Sequence, residues 1–421
     1  MRLLIAAAFL LCPLAAQQME DNYDESKVGS YTLPDPLVMR NGDPVRDAQT
    51  WWKRRRPELL ALFESQVYGR TVPPPQKTRF EVLNVDGNAL GGKAVRKQIR
   101  VWFAGSDGPK MDILLYIPAG ASGPVPVFVG LNFGGNHTVA ADPGIRLPEV
   151  WQRDLKDKTV HTRQPAQESQ RGRGASQWQV EQILARGYAL ATAYYEDIEP
   201  DFYGGLRYSV RALSLGGGQT DPKADEWGAI GAWAWALSRM ADYLQTDRAI
   251  DGKRIALMGH SRLGKTALWA GAQDARFGIV ISNESGEGGA SLARRNFGET
   301  LMRINASFPH WFCLNYRQYG PDPGQLPVDQ HELAALIAPR PLYIASAAQD
   351  LHSDPKGEFL AGVAAGPVYE LLGKKGLGVT EPPPLNQPVG HDIRYHNREG
   401  KHDVTAYDWE QYLAFADKYF K

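Results

Sequence analysis

The stretch RIALMGHSRLGKTALWAG, residues 254–271, is compatible with two folds and two chemistries. Its central part, residues 259–266, matches G-x-x-x-x-G-K-[ST], the pattern of a phosphate-binding P-loop. The same residues fit a nucleophile elbow, in which Ser261 stands on a sharp turn between a strand and a helix. Both motifs place a strand before the first glycine and a helix after the turn, so the rest of the chain has to distinguish them.

The pattern of the rest of the chain predicts one α/β domain. Three strand-like runs between residues 79 and 118, separated by breaks that contain Gly and Asp, predict an antiparallel start to a sheet. The apolar run at residues 125–133 suits a buried central strand. Strand and helix patterns then alternate, which predicts a mostly parallel sheet covered on both faces. A long polar insertion at residues 136–176 is expected to be functional or mobile.

The composition narrows the possible partners and the compartment. The 421 residues include 47 basic and 47 acidic side chains, so no net field attracts nucleic acid or an anionic membrane. Residues 1–16 combine an arginine, an apolar run and small residues near Ala16, the pattern of a removable signal peptide. Residues 17–421 are then expected to form a single exported domain, periplasmic or extracellular. The mature chain keeps Cys313 alone, which cannot form an internal disulfide.

Three predicted strand ends supply the groups that a serine nucleophile needs. Reacting groups in an open α/β sheet gather at the carboxyl ends of the strands. Ser261, Glu284 and Asp350 each follow a predicted strand, and histidines lie beyond them. Serine, acid and histidine in this order are typical of α/β-hydrolases. An exported chain has little access to nucleoside triphosphates. A P-loop also typically lies at the start of the nucleotide-binding sheet, not near residue 260. The elbow is therefore favoured over the P-loop.

Two histidines are candidates for the base that takes the serine proton. His402 lies in the loop before the last predicted helix, where this fold carries its base, and His391 is the alternative. His260 is expected to pack, and His310 has no acidic partner in a plausible place. No cluster has the spacing of metal ligands, so neither a catalytic metal nor a cofactor is predicted. Arg262 can offer its backbone N–H and its guanidinium to an oxyanion.

Four segments together resemble the bacterial glucuronoyl esterases, the fifteenth carbohydrate esterase family. They are GHSRLGKTALWAGA, SNESGEGGA, GKHDVTAYDWEQYLAF and GLNFGGNHTVAADPGI. The nucleophile signature of this family is G-x-S-R-x-G, which places the second glycine at Gly264 rather than one residue earlier. The resemblance covers most of the mature chain. It implies an α/β-hydrolase, a three-layer sandwich with family-specific loop insertions, that cleaves esters of 4-O-methyl-glucuronic acid joining glucuronoxylan to lignin alcohols.

The resemblance also implies a catalytic role for each candidate residue. Ser261 would be the nucleophile, His402 the base and Arg262 the oxyanion donor. Glu284 would be the principal acid that orients the base. Asp350 occupies the ordinary hydrolase position of the acid and would share or replace this role.

Substrate binding is implied for three further positions. Lys265 and Glu299 match residues that bind the hydroxyl groups of the uronic acid. His352 stands where the family often has a tryptophan that forms one wall of the sugar site, so stacking should be weaker there or come from another residue. The insertion at residues 136–176 is expected to line the cleft and contact the lignin or xylan part of the substrate.

Other functions stay open on the sequence alone. An acetyl-xylan esterase, or another carbohydrate esterase of this fold, would use the same triad. A non-catalytic carbohydrate-binding relative would lack a triad residue, and none is missing. The protein is expected to be a monomer whose partner is a glucuronoxylan or lignin ester, without nucleic-acid or membrane partners after removal of the signal peptide.

Overall fold

The computed structural model describes residues 21–75, 78–105, 108–216 and 219–421. The predicted signal peptide, residues 1–16, lies outside the described residues and stays a prediction. Within these ranges no helix is both long and apolar enough to cross a membrane.

The described chain forms one ten-stranded sheet and a separate two-stranded hairpin. The strands are β1 Arg79–Asn88, β2 Ala94–Trp102, β3 Lys110–Pro118, β4 Val125–Asn132, β5 Glu149–Arg153, β6 His161–Pro165, β7 Ala189–Tyr194, β8 Ile250–His260, β9 Phe277–Asn283, β10 Leu342–Ala347, β11 Val389–Gly390 and β12 Ile393–Arg398. The large sheet has the order β1-β2-β3-β7-β4-β8-β9-β10-β12-β11, and β5 and β6 form the hairpin.

The direction of the strands follows the predicted pattern. β1, β2, β3 and β7 pair antiparallel in that order. From β7 through β4, β8, β9, β10 and β12 every pairing is parallel, and β11 adds one antiparallel edge strand. β7 and β10 are buried along their whole length, as expected for parallel strands covered on both faces. The predicted mostly parallel sheet with an antiparallel start is confirmed.

Helices cover the sheet on two sides. Within the described ranges, the α-helices of six or more residues are α1 Arg56–Phe63, α2 Val180–Ala185, α3 Ala229–Leu244, α4 Arg262–Gln273, α5 Leu301–Ser307, α6 Gln330–Ala335, α7 Pro355–Leu371 and α8 Ala406–Phe420. Apolar side chains of α1, α3, α4 and α7 belong to one core, and those of α2 and α8 to a second. Because each helix buries an apolar stripe against the sheet, the result is the predicted three-layer α/β sandwich.

The register of the parallel strands brings the predicted site together. His260 at the end of β8 pairs with Asn283 at the end of β9, and Asn283 pairs with Ala345 of β10. Ser261 and Glu284 directly follow the first two of these residues. Because the neighbouring strands are parallel, the residues that follow their carboxyl ends lie at the same edge of the sheet.

The insertion at residues 136–176 is structured and contains the hairpin β5–β6. Trp151 of β5 packs against Phe202 and Tyr208, with ring centroids 5.3 Å and 4.9 Å apart. Arg163 of β6 forms an ion pair with Asp197. These contacts hold the hairpin against the segment that follows β7, on the edge of the sheet that carries Ser261.

Gly259 permits the tight approach of strand and helix at the end of β8. A Cβ atom there would lie 1.9 Å from the carbonyl oxygen of Leu263. We expect Gly259→Ala to lower the free energy of unfolding by about 1–3 kcal/mol, because backbone would have to move to accept the methyl group. Chemical denaturation measures the change.

Gly366→Ala is the matched control, since it lies in α7 and a Cβ there meets no heavy atom within 4 Å. This variant should be as stable as the wild type or more stable by up to about 1 kcal/mol. Equal stability of Gly259→Ala and the wild type would contradict the steric constraint.

Candidate active site

Ser261 occupies a strained turn between β8 and α4. Its φ is 57° and its ψ is −130°, a conformation that residues with a Cβ rarely adopt. The turn is held by a hydrogen bond from the Ser261 N–H to Asn283 O, 2.9 Å, and by one from the Gly264 N–H to Ser261 O, 2.8 Å. Strain of this kind places a nucleophile off the end of a strand, as the elbow interpretation requires.

Lys265 is buried in α4, and its ammonium group binds the backbone of the loop that follows β9. Its Nζ donates to the carbonyl oxygen of Ser285 at 2.5 Å, and only 4% of the residue is exposed. Burial lowers its pKa, which the charges of Glu299 and Glu287 oppose. A P-loop lysine has to reach the phosphates of a nucleotide, so this geometry favours the elbow over the P-loop.

His402 faces two carboxylates with one ring nitrogen. Its Nδ1 lies 2.6 Å from Asp350 Oδ2 and 3.2 Å from Glu284 Oε2. Its ring packs on the ring of His260, the residue before Ser261, with centroids 4.4 Å apart. With Nδ1–H donating to the carboxylates, Nε2 is the nitrogen that can accept a proton. The structure thus brings the predicted base to both predicted acids, directly beside the elbow.

The two carboxylates change the proton affinity of His402. Burial alone would lower its pKa, but hydrogen bonds and charge from Asp350 and Glu284 raise it to about 9. Burial would raise the pKa of Asp350, yet its contact with His402 holds it below the usual value. Burial raises the pKa of Glu284 to about 7, against the influence of His402 and Arg398. The site therefore stabilises the imidazolium that forms when His402 takes a proton.

Glu284 has structural partners that Asp350 lacks. Its Oε1 accepts from Arg398 Nη2 at 2.6 Å, and its Oε2 accepts from the Asp403 N–H at 3.0 Å. Its φ is +45°, a second strained position at the edge of the sheet. The sequence-based expectation ranked Glu284 first as the acid, but Asp350 lies nearer to the imidazole because Glu284 is shared with Arg398. Arg398 was not predicted, since a buried arginine carries no local sequence signal.

His260 and Asn283 form a neutral layer beneath His402. His260 Nδ1 lies 2.6 Å from Asn283 Oδ1. Burial and the adjacent His402 lower the pKa of His260 to about 3, so its ring stays uncharged.

Ligand atoms of His260, Glu284 and His402 lie within 4.8 Å of one another, a spacing that could hold a metal ion. Asn283, Arg398 and Asp350 already engage these side chains, so hydrogen bonding accounts for the cluster.

Arg262 is fixed by an ion pair and by aromatic rings. Its Nη1 donates to Asp201. Its guanidinium lies over the rings of Trp311, Phe133 and Phe308, with Cζ 4.9 Å, 5.6 Å and 5.7 Å from the ring centroids. Cation–π contacts and a charged partner hold the guanidinium in one orientation beside Ser261.

Asp201 is the centre of this second cluster. One of its oxygens accepts from His310 Nε2 at 2.8 Å and Trp311 Nε1 at 2.7 Å, and the other accepts from Tyr195 Oη at 3.0 Å as well as from Arg262. Burial would raise the pKa of Asp201, but these partners hold it far below the usual value. The expectation that His310 has no acidic partner is wrong, because the partner lies 109 residues away in the sequence.

Glu299 and His352 lie next to the catalytic cluster. The Glu299 N–H donates to His352 O at 2.9 Å, and His352 Nε2 lies 3.7 Å from Glu299 Oε1. His352 belongs to the short turn Leu351–Ser353 that directly follows Asp350. Glu299 is buried, and 47% of the His352 side chain is exposed. Two of the predicted sugar-binding positions, Glu299 and His352, thus lie at the turn that follows Asp350.

The alternative base lies at the other edge of the sheet. His391 is exposed and directly follows β11, before the start of β12. Because β12 runs parallel to the strands that precede Ser261 and Glu284, its amino end is remote from theirs. His391 therefore cannot serve the elbow, and His402 is the base that the geometry supports.

Comparison with known proteins gives matches along almost the whole chain. A family model described as "Glucuronyl esterase, fungi" matches residues 222–373. The chain is 50% identical over 404 residues to a protein named carbohydrate esterase from an unknown prokaryotic organism, covering 96% of this chain and 93% of that protein. It is 54% identical to the glucuronoyl esterase from Solibacter usitatus, with a TM-score of 0.89 over 93% of this chain and 99% of that structure. It is 26% identical over 381 residues to the 4-O-methyl-glucuronoyl methylesterase of Schizophyllum commune, covering 88% and 81% of the two chains.

The two carboxylates at His402 should respond differently to removal of their charge. We expect Asp350→Asn to lower kcat/KM on an activated aryl ester by tenfold or more, and by less than the loss of about 10⁴ known where a triad has one acid. Glu284 would still face Nδ1. Losing the nearer negative charge also lowers the pKa of His402, so the acid limb of the kcat/KM profile should move to lower pH.

Glu284→Gln is the matched isosteric variant for stability. It removes a carboxylate from the buried Arg398, so the free energy of unfolding should fall by about 3 kcal/mol, more than for Asp350→Asn. Denaturant unfolding of both variants checks the order. If Asp350→Asn left the pH profile unchanged and Glu284→Gln shifted it, the nearer carboxylate would not be the one that acts on His402.

Removal of the charge at Asp201 should affect Arg262 rather than substrate affinity. We expect Asp201→Asn to lower kcat by about 10- to 100-fold with little change in KM, because an oxyanion donor acts mainly in the transition state. Glu199→Gln is the control: Glu199 is buried nearby but pairs with Arg211 at 2.8 Å. A kcat loss of equal size in both variants would show a general packing defect instead.

Proposed function

This chain belongs to the glucuronoyl esterases, the fifteenth carbohydrate esterase family, and we propose that it hydrolyses esters of glucuronic and 4-O-methyl-glucuronic acid through a covalent acyl-enzyme. It is a carboxylic ester hydrolase. One observation supports the proposed mechanism above all: the His402 imidazole lies against two carboxylates beside the strained Ser261. A serine hydroxyl needs such a base, and the base needs such an acceptor.

In the first step, His402 Nε2 takes the proton of Ser261 as Oγ attacks the ester carbonyl. Asp350 is the nearer acceptor of the Nδ1–H and stabilises the imidazolium. Glu284 is a second carboxylate that faces the same ring nitrogen. The two carboxylates stabilise the imidazolium that this transfer forms. Because they also raise the pKa of His402 to about 9, the neutral form that accepts the proton becomes more abundant as the pH rises toward that value.

Arg262 stabilises the negative charge that develops on the carbonyl oxygen. Its backbone N–H begins α4, and its guanidinium is held in one orientation by Asp201. A donor already oriented before the reaction gives more stabilisation than a mobile one. His402 then returns its proton to the leaving alcohol. Water, activated by the same histidine, hydrolyses the acyl-enzyme and releases the uronate.

The uronic acid ring would lie over Lys265, Glu299 and His352. The buried charges of the first two suit hydrogen bonds to sugar hydroxyl groups. The hairpin β5–β6 would border the other side of the cleft, where the aromatic side chains Trp151 and Phe202 could contact a lignin alcohol or the xylan chain. The natural substrate would then be an ester between glucuronoxylan and lignin, met by an exported, monomeric enzyme.

Ser261→Ala should abolish ester cleavage while leaving the fold intact, because no other group replaces the nucleophile. The measurement compares benzyl glucuronate, methyl glucuronate and acetylated xylan as substrates for the wild type and the variant. Thermal unfolding of the variant controls for its folding. We expect the wild type to prefer the glucuronate esters and the variant to lose activity on all three substrates.

Two outcomes would contradict the proposal. Activity retained by Ser261→Ala would show that the elbow assignment is wrong. Preferential release of acetate by the wild type would instead favour an acetyl-xylan esterase, which would use the same triad.

A further inference from the structure

A short N-terminal segment lies across the loop that carries Glu299. We refer to residues 21–25 as the N-terminal strap. Asn22 forms an antiparallel bridge with Gly298: the Asn22 N–H donates to Gly298 O at 3.0 Å, and the Gly298 N–H donates to Asn22 O at 2.6 Å. The side-chain amide of Asn22 also donates to Asn296 O at 3.0 Å. The strap is therefore hydrogen-bonded to the residues that immediately precede Glu299.

A pair of cations anchors the other end of the strap. Glu25 lies 2.6 Å from Arg295 Nη2 and 3.1 Å from Lys356 Nζ. Arg295 is buried and also pairs with Asp354, which caps α7. Backbone bridging at one end and a partly buried ion pair at the other hold the strap in place.

Tyr23 is the aromatic residue of the strap, and it lies beside His352. Its Oη donates to Asp21 Oδ2 at 2.9 Å and lies 3.4 Å from His352 Nδ1. Half of Tyr23, 50%, is exposed. Burial, then Asp21, Glu299 and Asp350, raise its pKa to about 12, so the phenol is neutral and near both the acid and the sugar-binding glutamate.

His352 by itself is a poor apolar wall for a sugar. The carboxylate of Glu299 raises its pKa above the usual value, which favours a charged, hydrated ring. The apolar face of a sugar ring needs a rigid, neutral aromatic surface, which tyrosine provides at low entropic cost. The resemblance to the family indicates that a tryptophan often stands at the position of His352. The strap brings a tyrosine to within 3.4 Å of that position.

We propose that Tyr23 supplies the aromatic wall of the uronic-acid site in place of the tryptophan, which makes the N-terminal strap part of the binding site and Tyr23 a specificity-determining residue. This inference rests on the proposed function, since it takes a glucuronate ester as the substrate. The wall would contact the face of the sugar ring and not the ester carbonyl at which the reaction takes place. It stabilises the bound substrate and the transition state alike, so its loss should raise KM and leave kcat unchanged.

The test uses the full-length mature protein, benzyl glucuronate and 4-nitrophenyl acetate, which has no sugar ring. Tyr23→Ala should raise KM for benzyl glucuronate about fivefold, the size expected for one aromatic contact, with the same kcat. Tyr23→Phe keeps the ring and should retain most of the affinity. Neither substitution should change kcat/KM on 4-nitrophenyl acetate.

Rescue and a matched control complete the experiment. His352→Trp in the Tyr23→Ala background should restore a low KM for benzyl glucuronate. Trp52→Ala is the control, because Trp52 is an exposed aromatic residue away from the site. It is 44% exposed and lies beside Arg56, which donates to the carbonyl oxygen of Ala272 at the carboxyl end of α4.

An unchanged KM in Tyr23→Ala would overturn the inference, as would a Tyr23→Phe variant as weak as Tyr23→Ala. Absence of wild-type cleavage of benzyl glucuronate, with 4-nitrophenyl acetate still cleaved, would instead overturn the proposed function on which the inference rests.

Discussion

The buried guanidinium of Arg398 joins the two parts of the active site that the sheet alone leaves separate. It donates to Glu284 at 2.6 Å and to Asp408 at 2.9 Å. It also donates to the carbonyl oxygens of Lys401 and Asp403, at 2.9 Å and 2.6 Å, on either side of His402 in the chain. One side chain thus fixes the histidine loop against the end of β9 and the start of α8. A buried ion pair adds little net stability, but loss of one partner leaves an uncompensated charge.

The parallel register of β8, β9 and β10 provides the remaining constraint. It places Ser261 and Glu284 on one edge, and the turn after β10 adds Asp350 to them. Positive φ angles at Ser261 and Glu284 show that the backbone is bent where these side chains leave their strands. The surrounding structure supports this strain, because Ser261 is held between β8 and α4 and Glu284 is buried and bonded to Arg398 and to the Asp403 N–H.

The sequence predicted the sheet, which the structure confirms, and it indicated candidates for the nucleophile, the acids and the base, since each leaves a local pattern. Apolar runs of strand length, a glycine at an elbow and a polar loop before the last helix are readable from neighbouring residues alone. It did not predict Asp201 or Arg398, and it left His310 without a partner. These residues act through contacts that no periodicity encodes, as between Arg262 and Asp201, 61 positions apart.

The sequence by itself determined the class of fold and the chain order of the candidate serine, acids and histidine. Only the tertiary structure decided which carboxylate lies nearer to His402, since both follow strands and their distances depend on how Glu284 is shared with Arg398. Only the tertiary structure brought Tyr23 to His352, across 329 positions of the chain. Local propensities select strands, helices and turns, whereas such distances arise from the packing of the whole chain.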